Sequence, residues 1–242
     1  VDFWEVQEDK GWLPDLDQLR QLIRPNTKMI CINNANNPTG ALMDASYLKE
    51  LVAIAKEVGA YIFSDEVYRS FDHPAPSIVD LYDKGITVNS LSKTYSIPGI
   101  RVGWVASNTE VASILRDYRD YTMICAGVFD DMVATLVLKN KEAILERNRK
   151  IVMENIALMD AWIADEPKAS WIRPASVSTS FVKLEVARSI EDFALELLQE
   201  YGVLVVPGNR FDKESHVRIG YCCDKEVLQK GLEKLSQFLH KC

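Results

Sequence analysis

The period of apolar and polar residues changes several times along this chain, and each change marks an element. Thr27 to Asn33 (Thr-Lys-Met-Ile-Cys-Ile-Asn) has the pattern of a buried strand, which places Cys31 in the core. Asp44 can cap a helix whose apolar positions Leu48, Leu51, Val52 and Ala55 recur at helical spacing and which ends near Gly59. Ala60 to Asp65 reads as the next strand, followed by a loop from about Tyr68 to Ser77. Ile86 to Asn89 and Val102 to Ala106 are two more short strands, and helices are predicted over Thr109 to Arg119 and Val128 to Lys139. At the start, Val1-Asp2-Phe3-Trp4 reads as chain already inside a strand and, with no initial Met, as a fragment or a processed product.

Strands and helices in this rhythm predict an α/β fold, a mostly parallel sheet with helices on both faces. Ligands on such sheets bind beyond the carboxyl ends of the strands. Asn36 and Asn37 follow one strand, Asp65 ends the next, and Ser90 to Lys93 follow a third. From Lys141 to about Asp165 runs one long helical pattern, with Ile144, Ile151, Ile156 and Met159 on or near one face, stopped at Glu166-Pro167. Beyond it the rhythm differs. Ser178 to Glu185 and Gly202 to Pro207 read as strands around a helix at Ile190 to Tyr201, His216 to Cys222 is another strand, and Lys225 to His240 is a closing helix. The expected organisation is a large domain over 1–145 and a small α+β C-terminal domain over 146–242 that includes the long bridging helix. No internal repeat is visible.

Composition narrows the partners. The chain has 242 residues, 48% of them hydrophobic, enough for a sizeable core. Its net charge of −7 disfavours nucleic acid and anionic membranes, which select basic patches. No signal peptide or transmembrane run is visible. The cysteines, Cys31, Cys125, Cys222, Cys223 and Cys242, are odd in number and show no C-x-x-C spacing, which fits a reducing cytoplasm better than a disulfide scaffold. His73, His216 and His240 are scattered, so no metal-ligand spacing appears.

Candidate chemistry centres on Ser90-Leu91-Ser92-Lys93-Thr94-Tyr95-Ser96-Ile97-Pro98-Gly99-Ile100-Arg101. A lysine alone is nearly always a solvated surface charge. Here Ser90, Ser92 and Arg101 supply hydroxyl and guanidinium donors suited to a phosphate, beside an amine able to bond a carbonyl carbon. Asp65 ends an apolar strand, where a carboxylate is costly without a partner. It is either a cap or turn residue, or a buried anion that keeps a heteroaromatic nitrogen protonated; Glu66 beside it points elsewhere. Tyr68, three residues on, is either a packed aromatic or a hydroxyl facing the same side. Asn37, in Asn36-Asn37-Pro38-Thr39-Gly40, is a turn former or a cofactor ligand. Arg218 alternates with Ile219 in a strand and is an exposed charge or a clamp for a carboxylate.

Asn-Pro-Thr-Gly, Asp-x-x-Tyr, Ser-x-Ser-Lys with Arg eight residues on, and a late Arg-Ile-Gly occur in one order, over essentially the whole chain. That order resembles the fold-type I, pyridoxal-phosphate-dependent aminotransferases of class I/II. The resemblance implies that Lys93 holds pyridoxal 5'-phosphate as an aldimine and shuttles the proton. Asp65 then pairs with the ring nitrogen, Tyr68 and Asn37 with the ring oxygen, and Ser90, Ser92 and Arg101 with the phosphate. Arg218, with Asn37, binds the substrate α-carboxylate. The implied reaction moves an amino group from an amino acid to a 2-oxo acid, in a cytoplasmic homodimer. The alternatives are a β-lyase using the same lysine and an inactive fragment. In members of this family a phosphate-binding helix turn, a ring-stacking aromatic and an N-terminal arm come earlier; none is found before Asn33, so the large domain is expected to be incomplete.

Overall fold

Isoleucine at alternate positions sets the first sheet. In β3 (Met29–Asn33) Ile30 and Ile32 are buried while Met29 and Cys31 are exposed. Cys31 is therefore not a core residue: successive side chains of a strand point to opposite faces, and the two isoleucines take the covered one. This computed structural model describes residues 1–241, so Cys242 lies outside the described residues. The chain divides into two compact units, one formed by Val1–Asn36 and Ala41–Glu146, the other by Asn37–Gly40 and the chain from Arg147 onward.

The first unit opens with a two-stranded antiparallel ribbon, β1 (Val6–Gln7) and β2 (Leu13–Pro14), and a short helix α1 (Leu16–Leu22) capped by Asp15. Val1 to Trp4 lie outside any strand. Trp4 is instead held by its indole N–H, which donates to the Asp15 carbonyl at 2.7 Å, and its ring packs on the core. After β3 come α2 (Ala45–Val58), β4 (Tyr61–Asp65), the single-turn α3 (Ile78–Leu81), β5 (Gly85–Ser90) and β6 (Gly103–Ser107). The sheet order is β3-β4-β5-β6. β3 pairs with β4 and β4 with β5 in parallel, while β6 returns antiparallel to β5. The core joins Ile30, Ile32 and Ile62 of the sheet to Leu48, Leu51, Val52 and Ala55 of α2, with Ile78 and Tyr82. Helices α4 (Thr109–Arg119) and α5 (Val128–Lys139) follow; α4 buries no residue, and Tyr118, Tyr121, Phe129 and Met132 are exposed.

Helix α6 (Lys141–Asp165) runs from the first unit into the second. There β7 (Ala169–Trp171), β8 (Thr179–Leu184), α7 (Ile190–Tyr201), β9 (Val206–Pro207), β10 (His216–Gly220) and α8 (Lys225–Lys241) complete the chain. The sheet order is β7-β8-β10-β9 with every pairing antiparallel, the α+β layer expected from the sequence. Leu228, Leu232, Leu235, Phe238 and Leu239 form the buried stripe of α8, and Phe238 meets Phe193 of α7 with ring centroids 5.0 Å apart. Asn155 of α6 donates its amide to the carbonyls of Tyr221 (2.6 Å) and Cys223 (2.9 Å), satisfying backbone groups beyond β10. Among the described residues no helix is long and apolar enough to cross a membrane.

Two features give quantitative expectations. Asp44 caps α2, its Oδ1 accepting from the Ser46 hydroxyl and the Tyr47 amide, and these bonds hold its carboxyl below the usual carboxylate range. Asp44→Ala should cost about 1 kcal/mol near neutral pH in urea unfolding. Because the folded pKa is depressed, that advantage is complete above the ordinary aspartate value of about 3.9 and is lost as pH falls through the lowered one. A gap between wild type and variant that stayed constant through the acid range would contradict the assignment. At Gly103 a Cβ would stand 2.7 Å from the Asn89 carbonyl oxygen, so β5 and β6 close only over glycine. Gly103→Ala should destabilise by about 1–3 kcal/mol, measured the same way, through forced backbone shifts.

Candidate active site

The segment after β5 is anchored by a leucine. Leu91 is fully buried against Ala134 and Val137 of α5, with Tyr95, Ile97, Ile100 and Val102 packed around them. Its amide donates to the Val102 carbonyl at 3.1 Å, and its carbonyl accepts from the Ile97 amide at 2.9 Å. Between these anchors the chain makes a tight loop in which the Ser96 amide donates to the Lys93 carbonyl at 2.9 Å. Lys93 is left exposed on that loop. Its ammonium lies 5.7 Å from the centre of the Tyr68 ring, within cation–π range.

The turn that carries Asp65 and Tyr68 leaves the end of β4. The register pairs Asp65 with Asn33 of β3 and with Val88 of β5. Its carbonyl accepts from the Asn34 amide at 2.8 Å and the Asn33 side chain at 3.0 Å. The half-buried carboxylate accepts from the Val67 amide at Oδ1 (3.1 Å), and among the described residues Oδ2 accepts no hydrogen bond. Glu66 points away, as expected: its buried Oε1 accepts from the Ile78 amide (2.9 Å) and the Thr87 hydroxyl (3.2 Å), serving the start of α3. The Tyr68 carbonyl accepts from the Ala35 amide at 2.8 Å. From the other side, the Thr94 hydroxyl donates to the Val67 carbonyl (3.0 Å) and accepts from the Arg69 amide (3.1 Å).

Of the three anion-binding candidates, Ser90 and Ser92 are brought together, the Ser90 hydroxyl accepting from the Ser92 amide at 3.2 Å. Arg101 has a left-handed backbone (φ 53°), and its exposed guanidinium donates to the Pro98 carbonyl at 3.0 Å rather than to either serine.

Asn37 and Arg218 belong to the second unit and meet there: the Arg218 guanidinium donates from Nη1 to Asn37 Oδ1 at 3.1 Å. Arg218 lies on β10 between buried Val217 and Ile219, so it occupies the opposite face from both, as the alternation predicts. Its guanidinium carbon lies 5.6 Å from the centre of the Phe211 ring. The loop bearing Asn37 is seated by Gly40, whose φ of +72° and whose closeness to Pro174, 2.4 Å from any added Cβ, admit glycine alone. The Gly40 carbonyl accepts from the Ala175 amide at 3.0 Å.

Sequence pattern assigns no role to Thr94 or Phe211. Phe211 lies seven residues before Arg218 in a 3₁₀ turn, and Thr94 is one of many loop hydroxyls, so neither carries a periodic signal. Chemically, the first unit offers an accessible amine, a carboxylate oxygen with spare accepting capacity on the adjoining turn, and two hydroxyls on one loop. The second unit offers a guanidinium backed by an aromatic ring and an amide.

Comparison with known proteins identifies the family. Capreomycidine synthase of Streptomyces vinaceus is 29% identical over 98% of this chain and 62% of its own length. An aspartate aminotransferase of Pyrococcus horikoshii is 30% identical over 97% of this chain and 62% of its own. The crystal structure of a PLP-dependent aminotransferase from Streptococcus suis superposes with a TM-score of 0.98 at 68% identity, covering 100% of this chain and 65% of that one. The aspartate aminotransferase of Thermotoga maritima superposes with a TM-score of 0.88 at 28% identity. The chain thus spans about 62% of the length of these curated relatives. The family model for aminotransferase class I and II matches residues 1–235, and on that match, over nearly its whole length, the chain belongs to the class I and II aminotransferase family.

Proposed function

We propose that this chain is the greater part of a pyridoxal-phosphate-dependent aminotransferase that moves an amino group from an amino acid to a 2-oxo acid. The observation that carries the reading is the pairing of the exposed Lys93 amine with the β4 turn bearing Tyr68 and Asp65, in a chain of this family. The donor set suits the cofactor: Asp65 keeps a carboxylate oxygen without a hydrogen bond among the described residues, which fits a protonated ring nitrogen.

When bound, pyridoxal phosphate supplies an electrophilic aldehyde and a ring that withdraws electrons from the substrate α-carbon. Lys93 would hold the cofactor through Nζ at its aldehyde carbon, the carbonyl oxygen leaving as water, and its amine, when free, would hold and move a proton. Asp65 would hold the ring nitrogen, where its negative charge would favour the protonated ring. Tyr68 and Asn37 are the proposed donors that would hold the ring oxygen. The Ser90 and Ser92 hydroxyls and the Arg101 guanidinium would hold the phosphate, Arg101 by exchanging its Pro98 contact for a charged one. Arg218 binds the substrate α-carboxylate by two parallel N–H bonds and is held toward it by Asn37 Oδ1.

We assign 1–145 to the cofactor-binding large domain, present in part, and 146–242 to the small domain. We also place the enzyme in the cytoplasm as a homodimer, without nucleic acid or membrane as partners. The described cysteines are free thiols, and exposed Tyr121, Phe129 and Met132 are side chains that a subunit interface would cover.

Two experiments test the reading. Borohydride reduction of the protein with pyridoxal phosphate, followed by peptide mapping, should label Lys93. Lys93→Ala should lose the label and the visible absorbance gained with the cofactor; label at another lysine, or absorbance kept by the variant, would overturn the assignment. Incubation of the longer parent chain with single amino acids should yield product only when a 2-oxo acid is present. Release of ammonia without an acceptor would instead establish elimination.

A further inference from the structure

We infer that Thr94 is a positioning residue that clasps the Lys93 loop to the turn bearing Asp65 and Tyr68, and so sets the Lys93 amine against the cofactor site. The inference rests on the function proposed above and deepens it. The turn after β4, Glu66 to Arg69, has five backbone groups with partners outside the turn's own backbone. The Glu66 amide donates to the Val88 carbonyl (2.8 Å), the Val67 amide to Asp65 Oδ1 (3.1 Å), and the Tyr68 carbonyl accepts from Ala35 (2.8 Å). The Val67 carbonyl and the Arg69 amide are bonded to one atom, the Thr94 hydroxyl oxygen, which donates to the first at 3.0 Å and accepts from the second at 3.1 Å.

Thr94 is nearly buried, 9% exposed, whereas Lys93 beside it is exposed. A threonine hydroxyl can donate once and accept as well, so one side chain satisfies both groups, and loss of the hydroxyl would leave two backbone groups without it. The consequence for chemistry is one of reference frames. Lys93 is covalently next to Thr94, and Asp65 and Tyr68 flank Val67, so the clasp fixes the amine relative to the carboxylate and the phenol through one residue. A shift of an ångström between reacting groups is enough to slow a positioned reaction strongly. Leu91 and Ile97 hold the base of the Lys93 loop on α5, and among the hydrogen bonds described Thr94 links that loop to the β4 turn.

Three proteins separate the possibilities: wild type, T94V, which keeps the shape and removes the hydroxyl, and T94S, which keeps the hydroxyl. Two readouts apply, exchange of the Arg69 amide hydrogen followed by mass spectrometry without cofactor, and the rate of borohydride-trapped labelling of Lys93 by pyridoxal phosphate. The Arg69 amide should exchange slowly in wild type and T94S and about tenfold faster in T94V, the equivalent of one lost buried hydrogen bond. Lys93 labelling should fall by a similar factor in T94V and recover in T94S. Fast Arg69 exchange in wild type overturns the clasp even if T94V does not fold. Labelling of Lys93 at wild-type rate in T94V, with Arg69 exposed, overturns its positioning role. Absence of Lys93 labelling in wild type overturns the aminotransferase reading instead, while the exchange of Arg69 still decides whether the clasp exists.

Discussion

The first unit's share of the candidate site depends on the parallel register of β3, β4 and β5. Parallel pairing sends the carboxyl ends of neighbouring strands to one edge of the sheet. The register puts Asn33, Asp65 and Val88 side by side at that edge. The three segments that continue from there, Asn34 onward, Glu66 to Arg69 and Ser90 to Lys93, must therefore find one another's backbone groups. They do: Asn34 and Asn33 bond the Asp65 carbonyl, Ala35 bonds Tyr68, and Thr94 bonds Val67 and Arg69. Slippage of one residue between strands would turn the buried isoleucines outward and separate these loops together.

A second requirement is solvent contact for the amine without freedom for its backbone. The chain meets it by burying the residue two before Lys93 and the residue directly after it. Leu91 is fully buried on α5 and Thr94 almost so, and Lys93 sits between them facing out. The second unit solves the corresponding problem for a guanidinium: Arg218 lies on the face of β10 opposite Val217 and Ile219, with an aromatic ring near it and an amide oxygen to bond.

Much of this is written in local pattern. Asp44 as the α2 cap, the end of that helix at Gly59, strands β3, β4, β5, β6, β8 and β10 and the long helix to Asp165 are visible as period and punctuation, whereas the strand expected over Gly202 to Pro207 shrinks to Val206–Pro207. Helix α3 is four residues and β7 three, too short to show a period. Val1 to Trp4 look like a strand because Trp4 is apolar, yet its burial comes from packing and an indole hydrogen bond, not from a ladder. Cys31 reads as core because an unbroken apolar run does not say whether one face or both are covered. In the site, the order of motifs points to Lys93, Asp65, Tyr68, Ser90, Ser92, Arg101, Asn37 and Arg218, but not to distances. That Arg101 turns to Pro98, and that Thr94 joins two loops 25 residues apart, are facts of three-dimensional closure.

The assignment of Asn37–Gly40 to the second unit bears on how the chain can be divided. The polypeptide passes between units at Asn36–Asn37, at Gly40–Ala41 and inside α6 at Glu146–Arg147. A gene cut within α6 would therefore not release a self-sufficient C-terminal half. It would strand the four residues that seat Gly40 beside Pro174 and give Arg218 its Asn37 acceptor. The smaller unit is discontinuous in sequence, so its inheritance is tied to that of the larger one. Recombination that exchanges the C-terminal part alone brings a guanidinium whose amide partner comes from the other parent.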